Sequence, residues 1–211
     1  WFDRNKAVVP MESIFPPNTS GKEREAQNQA LMVDSQQDAI AAALINQGYP
    51  VGREVFIADF VKDSPALGVL KPDDIIERAD GQAIVSVAGL REQVQRSGGA
   101  PMTLDVRRDG QAIALEVTPT AGPDGSWLLG VVAGVHYEFP FEVKIQLESV
   151  GGPSAGLMFA LGIIDKLNAP ELTGGKVWAG TGTIDADGTV GPIGGIRQKM
   201  AGAKSAGAEF M

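Results

Sequence analysis

The 211 residues predict an α+β protein in which a mixed α/β part is interrupted by a small β-rich unit. Three features carry that expectation. Residues 21–47 show helical spacing of apolar side chains, and residues 54–118 read as short strands between tight turns. Residues 135–148 alternate strictly between apolar and polar before an apolar run long enough for a helix.

Taken in order, residues 1–21 are rich in Pro, Asn and Ser, with Val8-Val9 the single strand-like pair, and read as extended chain or loop. A charged stretch then leads into Met32, Ala39, Ile40, Ala43 and Leu44, an amphipathic helix ended before Gly48, with Asp34-Ser35 a place where it could break. Residues 54–61 form a strand pattern followed by the turn Asp63-Ser64-Pro65-Ala66. A second strand over 74–78, a short helix over 89–95 and two strands at 102–107 and 112–118 follow. Asp80-Gly81 and Asp109-Gly110 supply the left-handed conformers that two-residue hairpin turns require. Gly122-Pro123-Asp124-Gly125 reads as the end of this unit. From Val135 to Glu148, Val135, Tyr137, Phe139, Phe141, Val143, Ile145 and Leu147 share one face, a half-buried strand bent at Pro140. Leu157 to Leu167 predicts a buried helix starting close to Ser154. A strand around 177–179, a hairpin turn at 185–188 and a helix from Ile196 complete the chain.

Composition narrows the function. The formal charge is −8 and no Lys/Arg block occurs, which disfavours nucleic acid and anionic membrane surfaces. With no cysteine, disulfides, thiolate zinc sites and cysteine nucleophiles are excluded. No phosphate-binding loop of the G-x-x-x-x-G-K-[ST] kind occurs, and no His, Asp and Glu cluster has metal-ligand spacing, so neither nucleotide, metal nor other cofactor is expected. No apolar run reaches the ~18 residues of a spanning helix. The sequence opens with Trp1 and stops where a strand should begin, so both ends look trimmed.

Chemistry concentrates at two residues. Ser154 lies in GGPSAG, between a strand end and a helix start whose first amides lack intrahelical partners and can stabilise an oxyanion; Gly152, Pro153, Ala155 and Gly156 form that turn. A serine here can equally serve as a helix cap. The spacing also fits G-x-S-x-G of α/β-hydrolases, but the one histidine, His136, precedes the serine, whereas that family needs it afterwards. A lysine becomes the candidate base. On a helical wheel Lys199 falls in the apolar sector with Ile196, Met200, Ala203, Gly207 and Phe210, where burial favours the neutral amine that a general base needs. A lysine whose stem merely packs on the core fits the same pattern.

These residues carry a resemblance. GPSAG followed by TGTIDADGTVGPIGGIRQKMAGAKSAGA resembles the proteolytic domain of the Lon family, in which a serine in GPSAG pairs with a lysine in a motif like GG[IL]xxK. The resemblance implies that Ser154 is the nucleophile, Lys199 the base, and Thr181, in TGTI, a threonine that helps hold the lysine. MVDSQQDAIAAAL resembles the helix that precedes the serine strand in that family. The sequence departs at Gly151, where Lon often has Asp.

The insert resembles bacterial PDZ domains through VFIADFVKDSPALGVLKPDDIIERADGQAI. Together the two resemblances imply a PDZ-Lon protein of the Gram-positive or actinobacterial type, a serine endopeptidase without ATPase. The expected organisation is 1–50 and 122–211 as the two parts of a Lon-like domain and 51–121 as the PDZ-like insert. That family implies protein or peptide substrates and a peptide terminus held near Val51, Gly52, Arg53 and Glu54, the loop before the strand taken as the groove edge. It also implies an extracytoplasmic position at the cell membrane, anchored through a segment outside this chain; a homo-oligomer is compatible. The rival readings are a catalytically silent peptide-binding scaffold and an α/β-hydrolase-type esterase.

Overall fold

The computed structural model describes residues 21–146, 152–168 and 172–211. The chain separates into two compact units, Gly52–Glu138 and a second made of Trp1–Val51 with Phe139–Met211. The expected strand-like Val8-Val9 pair, Leu147, Glu148 and Gly151 lie outside the described residues.

The first described element of the second unit is α1 (Gly21–Asn46), one continuous helix with no break at Asp34-Ser35. Ser35 sits in mid-helix with its hydroxyl buried and satisfied, so the helix has no reason to open there. Ala39, Ala42 and Ala43 form its packed face, and their small side chains let another helix approach closely.

The β-rich unit follows. Its elements are β1 (Gly52–Phe60), β2 (Ile75–Ala79), β3 (Gln82–Ala83), α2 (Val87–Arg96), β4 (Met102–Arg108), β5 (Gln111–Val117), β6 (Thr120–Ala121), β7 (Trp127–Leu128) and β8 (Val131–Glu138). The main sheet runs β5-β4-β2-β1-β8, with β3 beside β2 and every pairing antiparallel. Strand periodicity sets its two faces. Val55, Ile57, Ile76, Met102, Leu104 and Val106 point into the core, while Glu54, Glu77 and Arg107 meet on the outer face as an ion-paired cluster. Leu90 and Val94, one helical turn apart, close the core from α2, whose N-terminus is capped by the Ser86 hydroxyl accepting from the Gly89 amide at 3.0 Å.

This unit ends at Glu138, not at Ala121 as the Gly/Pro turn suggested. The reason is hydrogen bonding: β8 pairs along β1 from Val131 to Glu138, so residues 122–138 complete the sheet of the insert. The single strand expected over 135–148 stops accordingly. Beyond Glu138 the chain meets Pro140, which has no amide to donate, and 141–146 form no strand among the described residues, although Val143 and Ile145 remain more buried than Glu142, Lys144 and Gln146.

After a 3₁₀ turn at Pro153–Ala155 comes α3 (Gly156–Leu167), which packs on α1 through Ala160, Leu157, Ile163 and Ile164. Full burial was expected of α3, but only Gly156 and Ala160 are enclosed, and Leu161 and Leu167 are exposed. Its apolar circumference is wider than the one face α1 covers. β9 (Thr183–Ile184) and β10 (Val190–Gly191) make the hairpin expected at 185–188, closed by the Asp185 amide donating to the Thr189 carbonyl at 3.0 Å. In place of a strand at 177–179 there is one parallel bridge, Trp178 with Phe210, whose rings stack 4.5 Å apart. α4 (Ile196–Ser205) is the last helix.

Candidate functional site

Ser154 occupies the middle of the 3₁₀ turn that feeds α3. Gly152 enters that turn at φ 85°, ψ 163°, a conformation essentially confined to glycine, which turns the chain so that a helix starts at once. The two carbonyls flanking the serine are fixed from different directions. Pro153 O accepts from the Ser35 hydroxyl at 3.0 Å, and Ser154 O accepts from the Gly182 amide at 2.9 Å and the Thr181 hydroxyl at 3.0 Å. Two segments distant in sequence thus hold one short turn.

Lys199, in the first turn of α4, reaches this turn. Its Nζ lies 2.8 Å from Ser154 Oγ and 2.9 Å from Thr181 Oγ1. Thr181 therefore acts in two directions, donating its hydroxyl hydrogen to Ser154 O while its lone pair receives Lys199. A lysine nitrogen at hydrogen-bond distance from a serine oxygen can, when neutral, accept that oxygen's proton. Arg197 and Lys204, the other cations of α4, are solvent-exposed.

Two expectations about this cluster are corrected. The apolar sector of α4 was expected to bury Lys199, but α4 has no buried residue; Ile196 and Met200 are exposed and Lys199 is half-buried. The lysine is held by hydrogen bonds and not by an apolar jacket. The amides expected to form an oxyanion site are also partly engaged. Pro153 has none, the Gly156 amide bonds Pro153 O, and the Leu157 amide donates to Gly182 O at 3.0 Å. Ser35 was missed as a site residue. Its signal was a small polar residue one turn before Ala39 on the packed face of an otherwise apolar helix stripe.

The β-rich unit carries a groove of about 410 Å³ between α2 and β8. β8 is an edge of the sheet, so one row of its backbone groups has no strand partner in the unit. β1 is interior, with β2 on one side and β8 on the other. Gly52, Arg53 and Glu54 are paired with Glu138, Tyr137 and His136, which overturns the expectation that a peptide is received at Val51 to Glu54: an interior strand has no edge to offer. The loop before the free edge is Leu128-Leu129-Gly130. Leu129 O accepts from the Ser64 hydroxyl at 3.0 Å and Gly130 O from the Val61 amide at 2.9 Å. In a planar trans peptide the next N–H points opposite to each carbonyl, so the Gly130 and Val131 amides face away from the 61–64 segment. Gly130 has φ 69°, and a Cβ there would fall 2.9 Å from the Ser64 backbone. Trp-Leu-Leu-Gly after a Gly-Pro-Asp-Gly turn was the available signal. His136 lies in this unit, stacked on Phe56 at 3.9 Å.

The fold and these features define a two-unit α+β protein with a Ser–Thr–Lys cluster in one unit and an edge-strand groove in the other. Among known proteins, the chain is 40% identical over 77 residues to a "putative zinc metalloprotease" of Xylella fastidiosa, in each of two strains; the match takes in 36% of this chain and 17% of those relatives. The chain thus spans about a sixth of the relatives it matches. In solved structures it is similar to the PDZ domain of an SdrC-like protein from Listeria monocytogenes (20% identity, 37% of this chain, 85% of that domain, TM-score 0.35). It is also similar to its Listeria innocua counterpart (21%, 38%, 92%, TM-score 0.36). No family profile matches the chain. Among the described residues no group of three or more His, Asp and Glu is placed to hold a metal ion, and the single histidine of the chain stacks on Phe56, so these residues do not fit a zinc centre. No helix among them is long and apolar enough to cross a membrane.

Proposed function

We propose that the chain is an ATP-independent serine peptidase of the Lon type, with a PDZ-like module that captures peptide segments. The observation that carries this reading is Lys199 Nζ lying 2.8 Å from Ser154 Oγ while Thr181 Oγ1 holds it from 2.9 Å. In the reaction, neutral Lys199 takes the Ser154 proton as Oγ bonds to the scissile carbonyl carbon. Backbone amides of the 152–155 turn stabilise the oxyanion. Collapse breaks the C–N bond, and Lys199 returns its proton to the leaving amine. Water, deprotonated by Lys199, then releases the acyl group and restores the serine. Thr181 keeps the amine aimed at Oγ through both steps. In the PDZ-like module, an extended peptide adds to the β8 edge with its terminal carboxylate toward the Gly130 and Val131 amides.

The test is a serine-reactive fluorophosphonate together with a peptide cleavage assay, without ATP and with a chelator present. The probe should label Ser154, and Ser154→Ala should lose both label and turnover while keeping its circular dichroism spectrum. Normal turnover by Ser154→Ala refutes the dyad. A second reading is favoured by the name of the 40%-identical relatives: a PDZ-like module that serves a metal-dependent protease. Cleavage abolished by the chelator and restored by zinc supports that reading instead.

A further inference from the structure

We propose that Met158 is an oxidation site that controls the serine-bearing unit: a peroxide that converts its thioether to the sulfoxide dislodges the Gly180–Gly182 segment and, with it, the hold of Thr181 on Lys199. The effect on turnover rests on the Ser154–Lys199 reading above, whereas the site itself is tested without it.

Gly180 precedes the threonine that holds Lys199. Its backbone is not left-handed, so no turn requires a glycine there. The requirement comes from α3. A Cβ at Gly180 would fall on the Met158 sulfur and 3.2 Å from Met158 Cγ, so the thioether lies against bare backbone. Gly182, on the other side of Thr181, is covered in the same way by Leu157, a methyl of which would lie 3.0 Å from a Cβ. Two successive side chains, one helical turn beyond Ser154, thus press on the glycines that flank Thr181. Between those contacts Thr181 donates to Ser154 O and receives Lys199 Nζ at 2.9 Å, and the Gly182 amide also donates to Ser154 O. The two contacts differ in chemistry: a leucine is inert to peroxide and a thioether is not. Met158 is half-buried beside the exposed Gly180 and lines a groove of about 470 Å³ between α3 and residues 141–145, so a small peroxide reaches it. In the reaction a sulfur lone pair takes one oxygen from hydrogen peroxide, the O–O bond breaks and water leaves. Sulfur loses two electrons and the peroxide gains them. The new oxygen has no room on the Gly180 side, and its dipole seeks water. The side chain swings into the groove or the 180–182 segment is pushed back, and in either case the segment loses its cover. A thiol-dependent methionine sulfoxide reductase reverses the change.

The experiment uses the full chain carrying Met11→Leu, Met200→Leu and Met211→Leu, which leaves Met158 with the enclosed Met32 and Met102. Hydrogen peroxide is the probe, and mass spectrometry of proteolytic fragments follows the gain of one oxygen. Met158 should oxidise ahead of Met32 and Met102, and amide hydrogen exchange should rise over residues 178–184 but not in the β-rich unit. The turnover number on a quenched-fluorescence peptide should fall by roughly tenfold or more, the scale of a slight misplacement of reacting groups, with KM little changed, and should recover on treatment with the reductase. Adding Met158→Leu, which conserves side-chain volume, should remove the sensitivity. Met158→Gln, of similar length but polar, should show the raised exchange without any oxidant. Unchanged exchange over 178–184 once Met158 is oxidised, or an equal loss of turnover with and without Met158→Leu, overturns the proposal. Raised exchange in a chain that has no peptidase activity before oxidation supports the site and overturns the peptidase reading instead.

Discussion

Arg108 grips Asp74 through two hydrogen bonds of 2.7 Å, from Nε to Oδ1 and from Nη2 to Oδ2, and Asp74 is fully enclosed. The same carboxylate accepts from the Lys71 amide at 2.8 Å, and Arg108 also donates to Val69 O at 3.0 Å. The pair ties the 69–74 segment to the end of β4. Burial pushes the Asp74 carboxyl up, but the Arg108 hydrogen bonds and charge and the Lys71 amide outweigh it and hold it below its ordinary value of 3.8. Because the folded value is depressed, the stability it contributes is complete above pH 3.8 and is lost as pH falls from there through the folded value. Asp74→Asn should cost the β-rich unit about 3 kcal/mol, the low end for an enclosed pair that loses one partner, and should remove this acid-side slope. Urea titrations between neutral and acid pH read both effects; an Asn variant that keeps the slope contradicts the assignment.

Lys199→Arg should lower peptide hydrolysis by roughly 10³-fold, within the range a lost general base costs, because a guanidinium stays protonated and cannot take the Ser154 proton. Initial rates with a quenched-fluorescence peptide measure this. An arginine variant of near-normal rate would remove Lys199 from the base role.

Ser35→Ala should act on catalysis from a distance. It leaves Pro153 O without its hydroxyl donor, at about 1 kcal/mol in stability, and frees the turn that aims Ser154. The turnover number should fall with little change in KM.

Gly156→Ala gives a sharper test of the same contact. A Cβ there would lie 2.8 Å from Ser35 Oγ and 3.2 Å from an Ile184 methyl. The substitution should therefore destabilise the protein more with Ser35 present than in the Ser35→Ala background. Additive losses in a double-mutant cycle would show that the hydroxyl is not the obstacle.

Gln95→Ala should weaken peptide capture by releasing Trp127, whose carbonyl and amide the Gln95 side chain bonds at 2.7 and 2.9 Å, and the loop behind it. Peptide titrations should show the free-terminus preference falling more than the affinity for amidated peptide, which a general loss of folding would not produce.

Local signals read well from the sequence where one face of an element decides its place. α1, α2, β1, β2, β4 and β5 show their apolar periodicity directly, and Asp80-Gly81 and Asp109-Gly110 mark their hairpin turns by residue type. The motifs single out Ser154, Lys199 and Thr181, and the structure brings the three together. What stayed hidden depended on pairing. Nothing in Val131 to Glu138 says that it joins β1 and not the chain that follows, since the alternation simply continues past Pro140. That one pairing moved the boundary of the insert and, with it, the free edge of the sheet from β1 to β8. The setting of Lys199 also escaped a helical wheel, which records direction around an axis and not whether anything covers that side.

Gly52 and Glu138 are paired residues of the β1–β8 ladder, so the insert leaves its host where it entered. To the host polymer, the folded insert is a short staple. Should the insert unfold, the staple becomes a flexible loop of ~90 residues, whose closure entropy scales to roughly 4 kcal/mol against the surrounding fold. Stability in the β-rich unit is thereby transmitted to the serine-bearing unit through chain connectivity alone. Any peptide that binds and stabilises the insert also tightens the polymer that carries Ser154.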